Sequence, residues 1–203
     1  MRSATLHQRL WWRLLKLFGY SNVWDREHKA GRWNQPRSPK TVQYVHDLLK
    51  TGARWLEFGC GDGSLPRHFN MLTSHYTGFD ISAEAIRQAK AHMPLPNTYF
   101  VQMDMRRWVA PLTQVDLIVC DECIYYLTPE EIGMFLRECW RSLKPGGHIL
   151  ITIHDVRKHS DSVAACSRFG LPASIEVDQS RRGHIVLTNS CRTSSSPDQP
   201  PPS

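Results

Sequence analysis

Three glycines at alternate positions, Gly59, Gly61 and Gly63, close an apolar run that starts at Leu56, and the carboxylates of Glu57 and Asp62 lie among them. Glycines so spaced let the backbone turn sharply and let a ligand lie against the main chain without meeting side chains. Between a strand and a helix, such a turn is a nucleotide site. The charge narrows the ligand. A pyrophosphate is held by a bare helix N-terminus, whereas Glu57 and Asp62 would set two negative charges beside it. The dinucleotide spacing Gly-x-Gly-x-x-Gly also fails, because position 64 is Ser64. An adenosyl ligand that carries an ammonium and a sulfonium suits the acids better. Taken alone the turn is a weak signal, since Gly-rich loops are also ordinary turn chemistry.

Further acids follow at the ends of apolar runs: Asp80 after His75 to Phe79, Asp104 after Val101 to Met103, and Asp121 with Glu122 after Leu117 to Cys120. Open α/β sheets bind ligands at the carboxyl ends of their strands, so these acids would share one edge. Asp80 falls about twenty residues beyond the turn, where an acid can take both hydroxyls of a ribose. Its structural alternative is a turn residue ahead of Ser82. Asp104 can accept from an adenine amino group, with Met103 and Met105 as apolar neighbours of the ring, or can simply open the turn before Arg106 and Arg107. Glu122, just before Tyr125 and Tyr126, is the first candidate to orient or deprotonate an acceptor, with Asp121 and His154 behind it. Its alternative is a carboxylate bound to its own loop or to the cofactor. His154 precedes Asp155 near the expected mouth of the site, and also reads as a surface-loop histidine.

The elements that would position these residues alternate. Tyr99 to Met103, Val115 to Cys120 and His148 to Ile153 read as strands. Ser82 can cap a helix through Ala91, and Thr128-Pro129-Glu130-Glu131 is a capping box with proline at the first helical position. That second helix carries Ile132, Phe135, Leu136, Cys139, Trp140 and Leu143 on one face and stops at Lys144-Pro145-Gly146-Gly147. Strands alternating with helices imply a mostly parallel sheet covered on both faces. Val163 to Phe169 can be helical, and Ser174 to Asp178 with His184 to Thr188 read as two strands around Arg181-Arg182-Gly183.

Glu57 to Gly63, Asp80, Asp104, Asp116 to Cys120 and Lys144 to Gly147 together resemble the ordered motifs of class I S-adenosylmethionine-dependent methyltransferases, over residues 38 to 155. The run Val115 to Leu127 is similar to the small nodulation-factor N-methyltransferases and their relatives, which show an acid and then Tyr-Tyr-Leu there. The resemblance implies an α/β fold: a Rossmann-like, doubly wound, mostly parallel seven-stranded sheet with an antiparallel edge strand. It implies S-adenosyl-L-methionine as cofactor, with Glu57 and the carbonyl near Cys120 serving the methionine ammonium, Asp80 the ribose and Asp104 the adenine. Gly59, Cys60, Gly61, Gly63, Ile81 and Met105 complete that expected site. Asp121-Glu122-Cys123-Ile124 departs from the Asn/Asp-Pro-Pro-Tyr of enzymes that methylate nucleobase amines or protein glutamine. A Pro-Cys nucleophile for cytosine-carbon methylation is also missing.

A chain of 203 residues can bury one good core. Three parts are expected: a basic amphipathic arm or lid at 1–37, the methyltransferase domain at 38–190, and a Ser/Pro-rich disordered tail at 191–203. The net charge of +6 is concentrated, since residues 1–40 hold nine Lys or Arg against Asp25 and Glu27. The remainder is near neutral, which argues against a nucleic-acid-binding face. Leu6, Leu10, Leu14, Leu17 and Phe18 share one side of a helix without acids. That arm reads as a lid over the site, a helix packed elsewhere or in a homodimer, a membrane-surface helix or an organelle transit segment. No run approaches the roughly 20 apolar residues of a transmembrane segment. Tyr20, Trp24, Trp33 and Tyr44, with Tyr125 and Tyr126, are candidates for an acceptor pocket, although aromatics also build cores. Of six cysteines only Cys120-x-x-Cys123 has motif spacing, and it lacks a second pair. No metal is expected, and the thiols read as buried groups in a reducing, cytoplasmic setting.

The expected activity is methyl transfer from S-adenosylmethionine to a small-molecule or sugar-amine acceptor, nitrogen ahead of oxygen. The alternatives are a protein or RNA methyltransferase that docks through the basic arm, and a catalytically silent cofactor-binding protein.

Overall fold

The computed structural model describes residues 19–32, 37–72, 74–111, 113–169 and 172–189. Helices α1 (Tyr20–Lys29) and α2 (Pro39–Leu48) precede β1 (Arg54–Phe58), and β2 (His75–Asp80), α3 (Ala83–His92) and β3 (Thr98–Gln102) follow. Beyond them come β4 (Val115–Asp121), α4 (Pro129–Ser142), β5 (Leu143–Ile153), α5 (Ser160–Phe169), β6 (Pro172–Val177) and β7 (Gly183–Thr188). The strands form one seven-stranded sheet in the order β3-β2-β1-β4-β5-β7-β6. β1 to β5 pair in parallel, and β7 lies antiparallel to both β5 and β6. The expected doubly wound sheet with an antiparallel pair at one edge is therefore present. The winding reverses between β1 and β4, which opens a crevice at their carboxyl ends.

Central strands are buried on both faces, which is why they read as continuous apolar runs. On one face Trp55, Tyr76, Leu117, Val119 and Leu150 pack with Val45 of α2 and with Ile86 and Ala89 of α3. On the other, Phe58, Ile118, Cys120, Ile149 and Ile151 pack with Phe135, Leu136 and Cys139 of α4 and with Ala165 and Cys166 of α5. Both expected caps form. Ser82 Oγ accepts from Ala85 N at 3.1 Å. Thr128 and Glu131 exchange hydrogen bonds of 3.2 and 2.8 Å across the first turn of α4.

The sequence reading and the structure part at the end of α4. Leu143 leaves the helix to open β5, because it pairs with Val115 across an irregularity in the β4–β5 ladder. Lys144 reaches back to Asp116 at 2.8 and 2.9 Å, so the breaker run Lys144 to Gly147 is a bent extension of the strand. The arm from Leu6 to Phe18, Trp33 and the tail from 191 lie outside the described residues.

Thr128→Ala removes half of the capping box and is expected to cost about 1 kcal/mol of stability in chemical denaturation, with cofactor affinity unchanged by calorimetry.

Candidate active site

The glycine turn sits where β1 ends, pinned to the end of β2. Gly59 N and Cys60 N both donate to the Phe79 carbonyl, at 2.8 and 3.0 Å. Gly59 and Gly63 hold φ of +74° and +72°, and a Cβ on either would stand 2.8 Å from Cys123 Cβ or 2.9 Å from Phe100 Cζ. Those two positions require glycine on both grounds. Asp80, buried at the tip of β2, accepts from Gly61 N at 3.0 Å and from Ser82 N at 2.9 Å. Its carboxylate thus ties the turn to the start of α3.

The carboxylates around the turn already hold a cation. Arg37, just ahead of α2, donates to Asp121 Oδ2 at 2.6 Å, Glu57 Oε1 at 3.1 Å, the Cys60 carbonyl at 2.9 Å and Ser64 Oγ at 3.1 Å, with the Gly59 carbonyl at 3.4 Å. Glu57 is fully buried and also accepts from the Tyr76 hydroxyl at 2.6 Å. Burial pushes its carboxyl up to about 7, against the pull of Arg37 and Tyr76. Burial also works against the Arg37 cation, yet Glu57 and Asp121 hold its proton more tightly than usual. Burial raises Asp80 too, offset by the two backbone N–H groups. Carboxylates and carbonyls arranged around a guanidinium are the acceptor set that an ammonium needs, so the residues present fit the expected cofactor.

Past β4 the chain kinks. Glu122 sits at φ +53°, rare for a residue with a side chain. Thr152, opposite Asp121 in the β4–β5 register, holds the kink from a fully buried position. Its hydroxyl donates to Asp121 Oδ1 and accepts from Glu122 N at 2.9 Å. Glu122 is thereby turned toward Arg182, at the end of the β6–β7 turn, with an ion pair of 2.8 Å. Burial and the neighbouring Asp121 raise the Glu122 carboxyl above the usual range, opposed by Arg182 and by His154.

The remaining expected residues divide into two groups. Tyr125 is buried, stacks on His159 with centroids 4.1 Å apart and leans on Tyr126 at 4.8 Å. Trp24 of α1 meets Tyr126 edge to face at 5.1 Å. These flank Glu122, and His154 lies exposed at the same rim. Tyr20 is on the other side, with the Arg106 guanidinium 4.1 Å over its ring. Both carboxylate oxygens of Asp104 are engaged by Arg106, at 2.9 and 2.6 Å, so Asp104 opens a turn and anchors the arginine. Met105 packs against the core, and Ile81 takes a hydrogen bond on its carbonyl from Gln102 at 3.1 Å. The carbonyl that approaches Gly59 is that of Asp121, 3.3 Å from a Cβ there, one residue beyond Cys120. Tyr44 is bonded to Glu176 at 2.6 Å and stacked on His184.

Sequence reasoning missed Arg37, Arg182 and Thr152. Arg37 was hidden in a basic arm, and the others carry no spacing signal. Only the register of β5 and the closure of the β6–β7 turn bring Thr152 and Arg182 to the kink.

The sheet order, the glycine turn and its acids describe a methyltransferase core. Residues 56–147 match a family model described as a methyltransferase domain. The match covers just under half of the chain, and over that span the sequence and the sheet order are similar to those of methyltransferase domains. The ubiquinone biosynthesis O-methyltransferase of Marinobacter nauticus is 26% identical over 141 residues, which covers 62% of this chain and 58% of that protein. A chain of the complex between the Haloferax volcanii Trm112 methyltransferase activator and a methyltransferase has a TM-score of 0.68 at 17% identity, over 82% of this chain and 97% of that one. The N-methyltransferase NodS of Bradyrhizobium japonicum, bound to S-adenosyl-l-homocysteine, has a TM-score of 0.62 at 17% identity, over 77% and 91%. At these identities the structures share the fold. Matches to three curated O-methyltransferases span 58%, 40% and 43% of those proteins, about half their length. No helix among the described residues is long and apolar enough to cross a membrane.

Two measurements follow from this geometry. Glu57 binds its proton more tightly folded than unfolded, so its contribution to stability is complete below the ordinary value of 4.5 and is lost as pH rises through about 7. Thermal melts against pH are expected to show the wild type losing ground to Glu57→Gln across that window; a constant gap means one charge state throughout. Thr152→Val leaves Glu122 N and Asp121 without the hydroxyl and is expected to cost about 1–3 kcal/mol in denaturant titrations, while Thr152→Ser stays near wild type.

Proposed function

We propose that this chain transfers the methyl group of S-adenosylmethionine, by in-line displacement, to a small-molecule acceptor that approaches over Tyr125 and Tyr126. The observation that carries this reading is the guanidinium of Arg37 lodged among Glu57, Asp121 and the carbonyls of Gly59 and Cys60, with Glu122 one residue further on. That set of acceptors suits the methionine ammonium. Asp80 takes the ribose, with its oxygens already oriented by Gly61 N and Ser82 N.

The cofactor supplies an activated methyl on a positively charged sulfur, so the protein contributes alignment and exclusion of water. The kink held by Thr152 aims the Glu122 carboxylate at the rim, where it orients the acceptor and accepts its proton. The raised proton affinity of Glu122 suits that role. An amine acceptor needs only to arrive unprotonated, and it is the preferred class by the Tyr-Tyr-Leu segment after Glu122. A hydroxyl acceptor is the second reading. It is favoured by the same raised carboxyl, since an alcohol or phenol needs a base, and by the O-methyltransferase names of the curated relatives.

Screening amines and phenols with radiolabelled cofactor, followed by product mass analysis, separates the two. Glu122→Gln is expected to lower turnover on the accepted compound by about 10²-fold or more, with cofactor affinity within about threefold of wild type. An equal loss in both would make Glu122 a cofactor ligand.

A further inference from the structure

Helix α1 lies across the glycine turn and is fastened on both flanks. Toward α3, Asp25 Oδ1 accepts from Ser82 Oγ at 2.6 Å and from Glu84 N at 3.1 Å. Gln88 Nε2 donates to the His28 carbonyl at 3.3 Å. Toward the acceptor side Trp24 meets Tyr126, and beyond β3 Arg106 covers Tyr20. Between these fastenings stands His28, which is 6% exposed. Its Nδ1 is buried with no hydrogen-bond partner among the described residues.

The ring points at the turn. A Cβ built on Gly61 would stand 3.7 Å from His28 Cε1 and 3.7 Å from Arg37 Nη2, with nothing nearer. An imidazole edge and a guanidinium thus flank Gly61 at ordinary contact distance from a side chain's first carbon. His28 is also close enough to Asp80 to act on its carboxylate electrostatically. Buried polar atoms in native proteins are almost always paired, and one left unpaired calls for an explanation. Here the atom belongs to a ring whose Cε1 edge meets the glycine turn.

We propose that His28 is a cofactor-binding residue, whose Nδ1 gains its hydrogen-bond partner from S-adenosylmethionine lying over Gly61, next to the hydroxyls held by Asp80. Helix α1 is then a wall of the binding site, and its fastenings to α3 and Tyr126 hold His28 over the ligand. The inference rests on the assignment of Asp80 to the ribose.

Calorimetry with S-adenosylmethionine and S-adenosylhomocysteine on the full chain tests it, using His28→Ala, His28→Phe and Asp80→Ala. Both His28 variants are expected to weaken both ligands about tenfold, the worth of one hydrogen bond, and Asp80→Ala is expected to abolish binding. His28→Phe keeps the ring and loses the nitrogen, so wild-type affinity in that variant would reduce His28 to packing and overturn the proposal. Wild-type affinity in Asp80→Ala would instead remove the ribose assignment, and the proposal with it. A ¹⁵N-histidine spectrum gives a readout that packing would not move: the Nδ1 resonance of His28 shifts on saturation with S-adenosylhomocysteine, and an unmoved resonance counts against a hydrogen bond.

Discussion

Carboxylates buried together at a strand edge need a cation, and the organisation of this site follows from that need. Glu57 and Asp121 are both withdrawn from water at the carboxyl ends of neighbouring strands. Two anions so placed destabilise the ionised state unless a partner of opposite charge and good geometry is present. Arg37 meets the requirement with a planar fork that reaches both carboxylates and two carbonyls. The same acceptors, facing a turn kept bare by glycine, can serve an ammonium. A site built this way has affinity for positive charge before any ligand arrives.

The acceptor side depends on the sheet in a different manner. The pairing of β4 with β5 puts Thr152 beside Asp121, and one hydroxyl then serves a carboxylate and a backbone N–H together. That double use holds Glu122 in a left-handed conformation. The antiparallel return of β7 along β5 closes the β6–β7 turn at the same edge, which brings Arg182 to Glu122. The groups of the site thus converge from β1, β2, β4, β5 and the last hairpin, although Glu57 and Arg182 stand about 125 positions apart in the chain.

Much of this was legible in the sequence. The glycine turn, the strand-terminal acids and the helix caps are local features, and local chemistry survives without tertiary context. Gly59 and Gly63 stand where positive φ and close approach exclude a side chain. Asp80 and Glu57 lie at strand tips as their positions after apolar runs require. Asp104 shows the limit: the same spacing fits an adenine acceptor and a turn residue, and its carboxylate is engaged by Arg106 two positions on. Leu143 shows another, since helical spacing carried it into α4 while pairing with Val115 drew it into β5.

From the glycine turn onward, neighbouring residues set the order of strands and helices, the bare turn and the acids at its rim. Tertiary structure alone decided which cation fills the turn, what aims Glu122 and what stands over Gly61. Arg37, Thr152, Arg182 and His28 sit in unremarkable stretches and acquire their roles through register, crossover and helix docking. Burial, too, is a property of the folded chain, and burial is what raises the carboxyls of Glu57 and Glu122.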